Sequence, residues 1–206
     1  MLITFEGIDG SGKSTQVTLL EQSLKAWGTD ALLTRQPGGT EIGQQIRRIL
    51  LDPQNRKMTS TTELLLYMAD RIQHVEEVIR PALKTGKLVL CDRYHDATLA
   101  YQGGGRGLDL TWLKPLEDQL ELPALTLFFR LAPALAHQRL NLRNQAKGEE
   151  PCRLESEERA FFEATDHAYM QLAARAPERF LVIDANRPVE VIHNEVVQKV
   201  LKRIES

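Results

Sequence analysis

The sequence predicts an α/β fold in which helices cover both faces of a mostly or wholly parallel five-stranded sheet. Short β-rich runs alternate with longer segments of helical periodicity, and the runs occupy residues 2–5, 31–34, 88–91, 125–131 and 180–183. Most of these runs are apolar at consecutive positions, which is typical of parallel strands that are buried on both faces. Strands that alternate with helices favour right-handed crossovers and a three-layer domain.

The segments between the runs carry helix signals. Two apolar stripes at helical spacing are predicted to cover the sheet, namely Val17, Leu20 and Leu24, and then Ile42, Ile46, Ile49 and Leu50. Ser60 and Glu63 fit a capping box at the start of a third helix. Pro133 fits a first helical position, and Gly86 fits a helix end before the third strand.

Composition limits the class of protein. The 206 residues suffice for one domain spanning 1–206, with a polar excursion at about 143–155. The net charge of -2 argues against long nucleic acid as a partner. The sequence shows no basic leader and no run of about eighteen apolar residues, so we expect no membrane association and a cytoplasmic location. Cys91 and Cys152 form no CxxC pair, and Cys91 is predicted to be a small buried side chain.

A glycine-rich loop follows the first predicted strand. The stretch GIDGSGKS (7–14) matches G-x-x-x-x-G-K-[ST] and precedes a predicted helix, which is the context of a phosphate-binding P-loop. There are two alternatives, an ordinary glycine turn and a dinucleotide-binding turn. The dinucleotide-binding fingerprint contains no lysine, and it requires an acidic residue at the end of the second strand, which is missing here. The predicted ATP-binding residues are Gly7, Ile8, Asp9, Gly10, Ser11, Gly12, Lys13, Ser14 and Thr15.

The third predicted strand ends in an aspartate, Asp92, which resembles a Walker B arrangement. In such sites a P-loop hydroxyl and a strand-end carboxylate lie beside Mg²⁺, which bridges the nucleotide phosphates. We therefore predict Ser14 and Asp92 as metal-site residues and Mg²⁺ with ATP as the cofactor. Lys13 is predicted to contact the β- and γ-phosphates.

Arginines recur near predicted strand ends and on the helices that follow, at Arg35, Arg47, Arg71, Arg93 and Arg106. Ligands bind at the carboxyl edge of parallel sheets, so several of these side chains are predicted to converge on a second anion beside the P-loop. The N-K-x-D segment expected of a guanine-nucleotide switch is absent from the sequence. This pattern favours a kinase with a small phosphorylated acceptor.

Four motifs make a more specific resemblance. They are FEGIDGSGKST (5–15), TRQPGGT (34–40), MADR (68–71) with His74, and DRY (92–94) through YQGGGR (101–106). With these motifs, and with RLE (153–155) in the position of a lid, the sequence resembles bacterial thymidylate kinases. The resemblance implies a P-loop nucleotide kinase fold, transfer of the γ-phosphoryl group of ATP to dTMP, and a homodimer.

The resemblance also implies roles for individual residues. Arg35, Arg47 and Arg93 would hold the acceptor phosphate, Tyr67 would stack on thymine, and Arg71 would donate to a base carbonyl. Thr98 and Gln102 would read the rest of the base edge, and Tyr101 would close the sugar pocket. Asp9 would contact the 3'-hydroxyl or the acceptor phosphate region. The full substrate-binding set is Asp9, Arg35, Pro37, Arg47, Tyr67, Arg71, Arg93, Thr98, Tyr101 and Gln102.

Two positions separate this sequence from common family patterns. Gln36 stands where glutamate is common, and Gly10 stands where some members carry a P-loop arginine. The resemblance then implies that Arg143 and Arg153 of the lid supply the catalytic charge, with Arg139 and Lys147 contributing electrostatically. The predicted catalytic set is Lys13, Asp9, Arg93, Arg143 and Arg153, and Arg143 and residues 185–187 are candidates for adenine contacts.

Two other functions stay open at this point. A pyrimidine nucleoside monophosphate kinase of broader specificity would share the same motifs. A P-loop switch without kinase activity would share only the nucleotide site.

Overall fold

The computed structural model describes residues 1–204, which contain a five-stranded parallel sheet. The strands are β1 Leu2–Glu6, β2 Ala31–Arg35, β3 Leu88–Asp92, β4 Leu125–Arg130 and β5 Phe180–Asp184. Their order across the sheet is β2-β3-β1-β4-β5, and every neighbouring pair is parallel. The predicted sheet is therefore confirmed, and each observed strand end lies within one residue of the predicted end.

Helices connect the strands. Those before β3 are α1 Lys13–Ala26, α2 Glu41–Leu51, α3 Ser60–His74 and α4 Arg80–Lys84, and a π-helical segment, Val75–Ile79, joins the last two. Those after β3 are α5 His95–Thr98, α6 Lys114–Glu117, α7 Pro133–Lys147, α8 Arg159–Arg175 and α9 Val189–Ile204, with a π-helical segment Leu99–Gly105 after α5. Pro133 occupies the first turn of α7, as predicted. Within residues 1–204, no helix combines the length and apolarity that crossing a membrane requires.

Two apolar clusters enclose the sheet. One cluster contains Ile3 and Phe5 of β1 together with Leu20 and Leu24 of α1, so the first predicted stripe covers the sheet. A second cluster joins Leu2, Val89 and Cys91 to Val75 and Ile79 on the π-helical segment. Burial of this apolar surface is the main favourable contribution to folding.

The edge strands depart from the sequence-based expectation of burial on both faces. Leu33 in β2 is 39% exposed and Val182 in β5 is 40% exposed, whereas β1 is buried throughout. The expectation holds for β1 and nearly all of β3 and β4, and it is wrong for the two edge strands. An edge strand has only one neighbour, so its outer side chains lack the packing that central strands receive.

The second predicted stripe is also wrong in part. Helix α2 packs against α3 rather than covering the sheet, and of the four residues of the predicted stripe only Leu50 is buried. Ile42 and Ile49 are 50% and 47% exposed. Periodicity identified the helix correctly but could not identify the surface against which it packs.

The start of α3 corrects the predicted capping box. The N-cap is Thr59, whose Oγ1 accepts a hydrogen bond from the Thr62 backbone N–H at 3.2 Å. Ser60 is instead the first helical residue, and Glu63 pairs with arginines elsewhere in the fold. The cap therefore lies one residue earlier than predicted.

The observed cap predicts a difference between two single substitutions. Thr59→Ala removes the side-chain acceptor and should lower the free energy of unfolding by about 1 kcal/mol. Ser60→Ala is the matched control and should change it by less than about 0.5 kcal/mol. Urea denaturation of both variants measures the difference, and an equal or larger loss for Ser60→Ala would contradict the assignment.

Candidate active site

The P-loop lies between β1 and α1, as predicted. Gly7, Gly10 and Gly12 have φ of 135°, 84° and 88°, values that L-residues with a side chain rarely adopt. A Cβ at Gly10 would also clash with the backbone oxygen of Ala136. A larger side chain at position 10, such as arginine, would thus require movement of the first turn of α7.

Lys13 is the buried cation of this loop. Its Nζ donates to the Ile8 backbone oxygen at 2.9 Å and lies 3.5 Å from Ser11 Oγ. Burial, together with the nearby charge of Arg93, lowers the pKa of Lys13 to about 8. A bound phosphate would favour the charged form and raise this pKa again.

Ser14 and Asp92 lie in contact where α1 begins and β3 ends. Ser14 Oγ donates to Asp92 Oδ2 at 2.7 Å. Hydroxyl and carboxylate oxygens are the ligands that Mg²⁺ prefers, so these two residues fit the predicted metal position. Residues 1–204 contain no cluster of three or more histidine, cysteine or acidic side chains able to hold a metal alone.

A cavity of about 280 Å³ opens beside the P-loop at the carboxyl edge of the sheet. All of the predicted substrate-binding residues line it: Asp9, Arg35, Pro37, Arg47, Tyr67, Arg71, Arg93, Thr98, Tyr101 and Gln102. Lys13, Ser14, Asp92 and Arg143 also line it, whereas Arg106 and Arg153 do not. The structure therefore brings the phosphate loop and the predicted acceptor residues into one continuous space.

Arg93 lies between these two parts of the cavity. Its Nη2 donates to Asp9 Oδ1 at 2.9 Å, and its guanidinium carbon lies 5.0 Å from the centroid of the Tyr101 ring. Its Nη1 is buried and makes no hydrogen bond to any residue in 1–204. Burial alone would raise the pKa of Asp9, but the charges of Arg93 and Lys13 outweigh it and lower this pKa to about 2. Asp9 is consequently a carboxylate at neutral pH, and Arg93 retains a donor without a partner.

Arg71 is held rigidly at the far end of the cavity. Its Nε donates to Gln36 Oε1 at 2.8 Å, its Nη1 to Thr98 Oγ1 at 2.5 Å, and its Nη2 to the Tyr94 backbone oxygen at 2.9 Å. The side chain is only 2% exposed. Three fixed acceptors on three different segments determine its orientation, so its remaining N–H groups are preorganised.

Gln36 links Arg71 to a buried histidine. The Gln36 Nε2 lies 2.8 Å from His74 Nδ1, and His74 Nε2 lies 2.6 Å from Thr34 Oγ1. Burial and the charge of Arg71 lower the pKa of His74 to about 4. Since an amide N–H can only donate, neutral His74 accepts at Nδ1 and carries its proton at Nε2. Gln36 therefore has a structural partner on each side.

This arrangement predicts the effect of restoring a carboxylate at position 36. In Gln36→Glu the new carboxylate only accepts, so it favours a proton on His74 Nδ1 and should raise the pKa of His74 above about 4. An NMR titration of the imidazole measures the shift. Gln45→Glu, at an exposed position of α2, is the control and should leave it unchanged. A pKa of His74 that stays at about 4 in Gln36→Glu would contradict the described contact.

Two further cations flank the turn after β2, namely Arg35 at the end of β2 and Arg47 on α2. Arg47 Nη1 donates to the Pro37 backbone oxygen at 2.9 Å, and burial together with the charge of Arg35 lowers the pKa of Arg47. Asp70 Oδ1 accepts from Gly38 N at 2.8 Å and fixes this turn against α3. Two arginine side chains that repel one another beside one cavity favour the binding of an anion between them.

The lid arginines take different positions. Arg143 is exposed near the end of α7, and its Nη2 donates to Glu155 Oε1 at 2.8 Å. Arg153 is buried, with its Nη2 2.6 Å from Glu63 Oε2 and its Nε donating to the Leu50 backbone oxygen at 2.9 Å. The predicted excursion at about 143–155 thus begins inside α7 and contains a buried residue.

Two other residues have partners that the motifs did not indicate. Arg106 was expected near the acceptor anion, but its Nη2 lies 2.9 Å from Glu63 Oε2 and 2.5 Å from Glu157 Oε1. Gln102 lines the cavity while its Nε2 donates to Glu63 Oε1 at 2.9 Å. Glu63 therefore organises Arg106, Arg153 and Gln102 together.

Of the candidates for adenine contacts, Arg143 lines the cavity and residues 185–187 do not. Arg139 Nη1 donates to the Ala185 backbone oxygen at 3.1 Å, and its Nη2 lies 3.5 Å from Asn186 Oδ1. Arg187 pairs with Glu195, and Lys147 is exposed at the end of α7. Arg139 and Lys147 do not line the cavity that contains the predicted acceptor residues either.

Sequence reasoning missed Glu6 and Glu155. Glu155 lines the cavity and accepts from Arg143, Asn144 and the Cys152 backbone N–H. Glu6 is fully buried at the end of β1, where burial and the charge of Asp96 raise its pKa to about 7. Glu6 lies one residue beyond the predicted strand 2–5, so its burial had no signal in the sequence pattern.

The fold and site together define a P-loop phosphotransferase with an arginine-rich acceptor cavity. Comparisons with known proteins identify the family. The thymidylate kinase family model matches residues 5–196. A thymidylate kinase of Exiguobacterium sp. is 44% identical over 100% of this chain and 96% of its own length. One from Solidesulfovibrio magneticus is 49% identical over 90% of this chain and 91% of its own length.

A solved structure agrees with these sequence comparisons. The crystal structure of thymidylate kinase from Ehrlichia chaffeensis superposes with a TM-score of 0.76 at 31% identity, and the match covers 98% of both chains. The chain belongs to the thymidylate kinase family, whose members are ATP-dependent phosphotransferases.

Proposed function

We propose that the chain transfers the γ-phosphoryl group of ATP to dTMP, giving dTDP and ADP in dTTP biosynthesis. Family membership supports the reaction, and one observation in the site carries the assignment of residues. Arg93 bridges Asp9 of the P-loop and the acceptor cavity, and its buried Nη1 has no partner within residues 1–204. A phosphate oxygen of the acceptor supplies the missing acceptor of that hydrogen bond.

The acceptor phosphate is held by cations. Arg35 approaches it from the end of β2, Arg47 from α2 and Arg93 from the end of β3. An ionised phosphate offsets their mutual repulsion and the cost of burying their charge. Asp9 keeps Arg93 oriented and faces the deoxyribose 3'-hydroxyl or the phosphate region.

The base occupies the end of the cavity between Tyr67 and Arg71. The Tyr67 ring provides a flat apolar surface, and the remaining N–H groups of Arg71 donate to a thymine carbonyl. Thr98 and Gln102 complete the polar edge, and Tyr101 lies beside the sugar.

Transfer is direct and in line. An oxygen of the acceptor phosphate attacks the γ-phosphorus while the bond to the β–γ bridging oxygen breaks, and ADP leaves. Lys13 stabilises the phosphate oxygens, and Arg143 of the lid adds positive charge. Ser14 and Asp92 would hold Mg²⁺, which would supply further neutralisation of the triphosphate when bound.

The choice of acceptor is testable with a panel of nucleoside monophosphates. With ATP and Mg²⁺, dTMP should give the highest kcat/KM, and dUMP should be about 10–200-fold poorer because it lacks one methyl group. Discrimination against dCMP should be larger, since its base leaves polar partners unmatched. A coupled assay for ADP measures each acceptor.

Other outcomes would identify the alternative functions. Comparable rates with dCMP and dTMP would indicate a kinase of broader pyrimidine specificity. Slow ATP hydrolysis that no monophosphate accelerates would contradict the kinase assignment and favour a switch.

We expect substitution of the two lid arginines, Arg143 and Arg153, to have different effects on turnover and on stability. Arg143 lines the cavity, so Arg143→Ala should lower kcat by about 10³-fold or more with little change in the KM for dTMP. Arg153 is paired with Glu63, so Arg153→Ala should lower the melting temperature as well as the rate. Arg159→Ala on the exposed face of α8 is the control and should alter neither. Normal turnover in both lid variants would eliminate the lid as the source of catalytic charge.

We also propose that the chain forms a homodimer through α2 and α3. Ile42 and Ile49 of α2 and Leu65 of α3 are 50%, 47% and 48% exposed on two helices that pack together. Ile49→Asp should shift the chain from dimer to monomer in light scattering, because the charge would be buried on association. Val191→Asp, on α9, is the control and should not shift it. A monomeric wild-type chain at micromolar concentration would contradict the proposal.

The proposed location is the cytoplasm. Cys91 and Cys152 are both free, which agrees with a reducing compartment. ATP, the proposed donor, is abundant there.

A further inference from the structure

Glu6 contacts two elements that do not include the P-loop. Its side chain is fully buried at the end of β1. Its Oε1 accepts a hydrogen bond from the Tyr94 backbone N–H at 2.7 Å, and its Oε2 accepts from the Tyr169 hydroxyl at 2.7 Å. The carboxyl group thus joins β1 to the segment after β3 and to α8.

The residue before Tyr94 has an unusual backbone. Arg93 has φ of 68°, and it is the one residue other than glycine in the described chain with positive φ. This left-handed conformation is unfavourable for a residue with a Cβ, so the surroundings must hold it. It also marks the point where the chain leaves β3 and the guanidinium turns toward Asp9.

Residues of β1 accept hydrogen bonds from two consecutive backbone N–H groups at this left-handed turn. The Arg93 backbone N–H donates to the Phe5 backbone oxygen at 2.9 Å and continues the ladder between the strands. The next backbone N–H, that of Tyr94, has turned away from the ladder and meets the Glu6 carboxyl group instead. A side chain therefore replaces a backbone acceptor at the point where the turn begins.

We propose that Glu6 is a positioning residue for Arg93. By accepting from Tyr94 N–H, Glu6 holds the left-handed turn that directs the Arg93 guanidinium to Asp9 and the acceptor phosphate. The inference rests on the role of Arg93 in the proposed function. Glu6 itself touches neither phosphate nor nucleotide in this account.

The surroundings of Glu6 indicate what a substitution must preserve. The charged and titratable groups that interact with the Glu6 carboxyl group are Asp96, Arg93, Tyr169, Tyr94, Lys13, Arg71, Arg179 and Cys91. A carboxyl oxygen accepts from Tyr94 N–H whether the group is ionised or protonated, and so does an amide oxygen. Acceptor capacity at this position, rather than charge, is thus the requirement.

This requirement separates three substitutions. Glu6→Gln keeps an acceptor for Tyr94 N–H and should retain kcat within a few-fold. Glu6→Leu leaves that N–H buried without a partner and should lower kcat by about 10²-fold and raise the KM for dTMP, as expected for a displacement of about 1 Å. The KM for ATP should change little. Thr4→Val is the matched control, since it removes another buried hydrogen bond from β1, to Thr126, without touching the turn.

A double-mutant cycle tests whether Glu6 acts through Arg93. In an Arg93→Ala background, Glu6→Leu should have little further effect on kcat, because the group that it positions is gone. A merely structural role predicts that the two losses multiply. If Glu6→Leu does not fold, Glu6→Asp takes its place in the cycle, since its shorter side chain cannot keep the same contact with Tyr94 N–H.

Three results would overturn the proposal: Glu6→Gln as impaired as Glu6→Leu, multiplying losses in the cycle, or an equal loss in Thr4→Val. These results differ from a failure of the proposed function. If the wild-type chain phosphorylates dTMP and the losses in kcat of the two single variants multiply in the double variant, only the positioning role fails. If the wild-type chain does not phosphorylate dTMP, the assigned role of Arg93 fails with it.

Discussion

The parallel register of β1 and β3 is the constraint on which the site depends. Phe5 lies opposite Asp92 in this ladder, so the carboxyl ends of the two strands meet at one edge of the sheet. The P-loop leaves β1 at that edge, and Asp92 and Arg93 leave β3 beside it. Ser14 consequently reaches Asp92, and Asp9 reaches Arg93. A shift of one residue in the register would turn these side chains to the opposite face of the sheet.

Buried positive charge makes the site incomplete without an anion. Lys13, Arg47, Arg71 and Arg93 all line one cavity, although the chain as a whole has a net charge of -2. Burial lowers the pKa of Lys13 to about 8, which reflects the cost of keeping a cation there. In the proposed function, phosphate groups balance this positive charge, so the buried cations account for affinity toward phosphorylated ligands.

Much of this organisation could be predicted from sequence because it depends on local spacing. The P-loop motif, with its glycines, Lys13 and Ser14, lies within residues 7–14. The apolar strands and the α1 stripe follow from residue periodicity. The resemblance supplied the acceptor residues, and all of them line the cavity.

The remainder depends on contacts between distant residues, which periodicity cannot show. The α2 stripe looked like a sheet-covering face, but Ile42 and Ile49 are exposed because α2 packs on α3. Arg143 and Arg153 looked equivalent in sequence. In the structure, Arg153 forms a buried ion pair with Glu63, whereas Arg143 is exposed. Glu6 stood inside the opening motif, and its role depends on Tyr94, which is 88 residues away.

The most direct test of the central claim is a crystal structure with dTMP, Mg²⁺ and a non-hydrolysable ATP analogue. We expect the dTMP phosphate within hydrogen-bonding distance of Arg93 Nη1, with Arg93 still in its left-handed conformation. We also expect the thymine ring against Tyr67 and Arg71. A dTMP phosphate bound elsewhere, with Arg93 Nη1 making no contact to it, would contradict the claim that this cation completes the acceptor site.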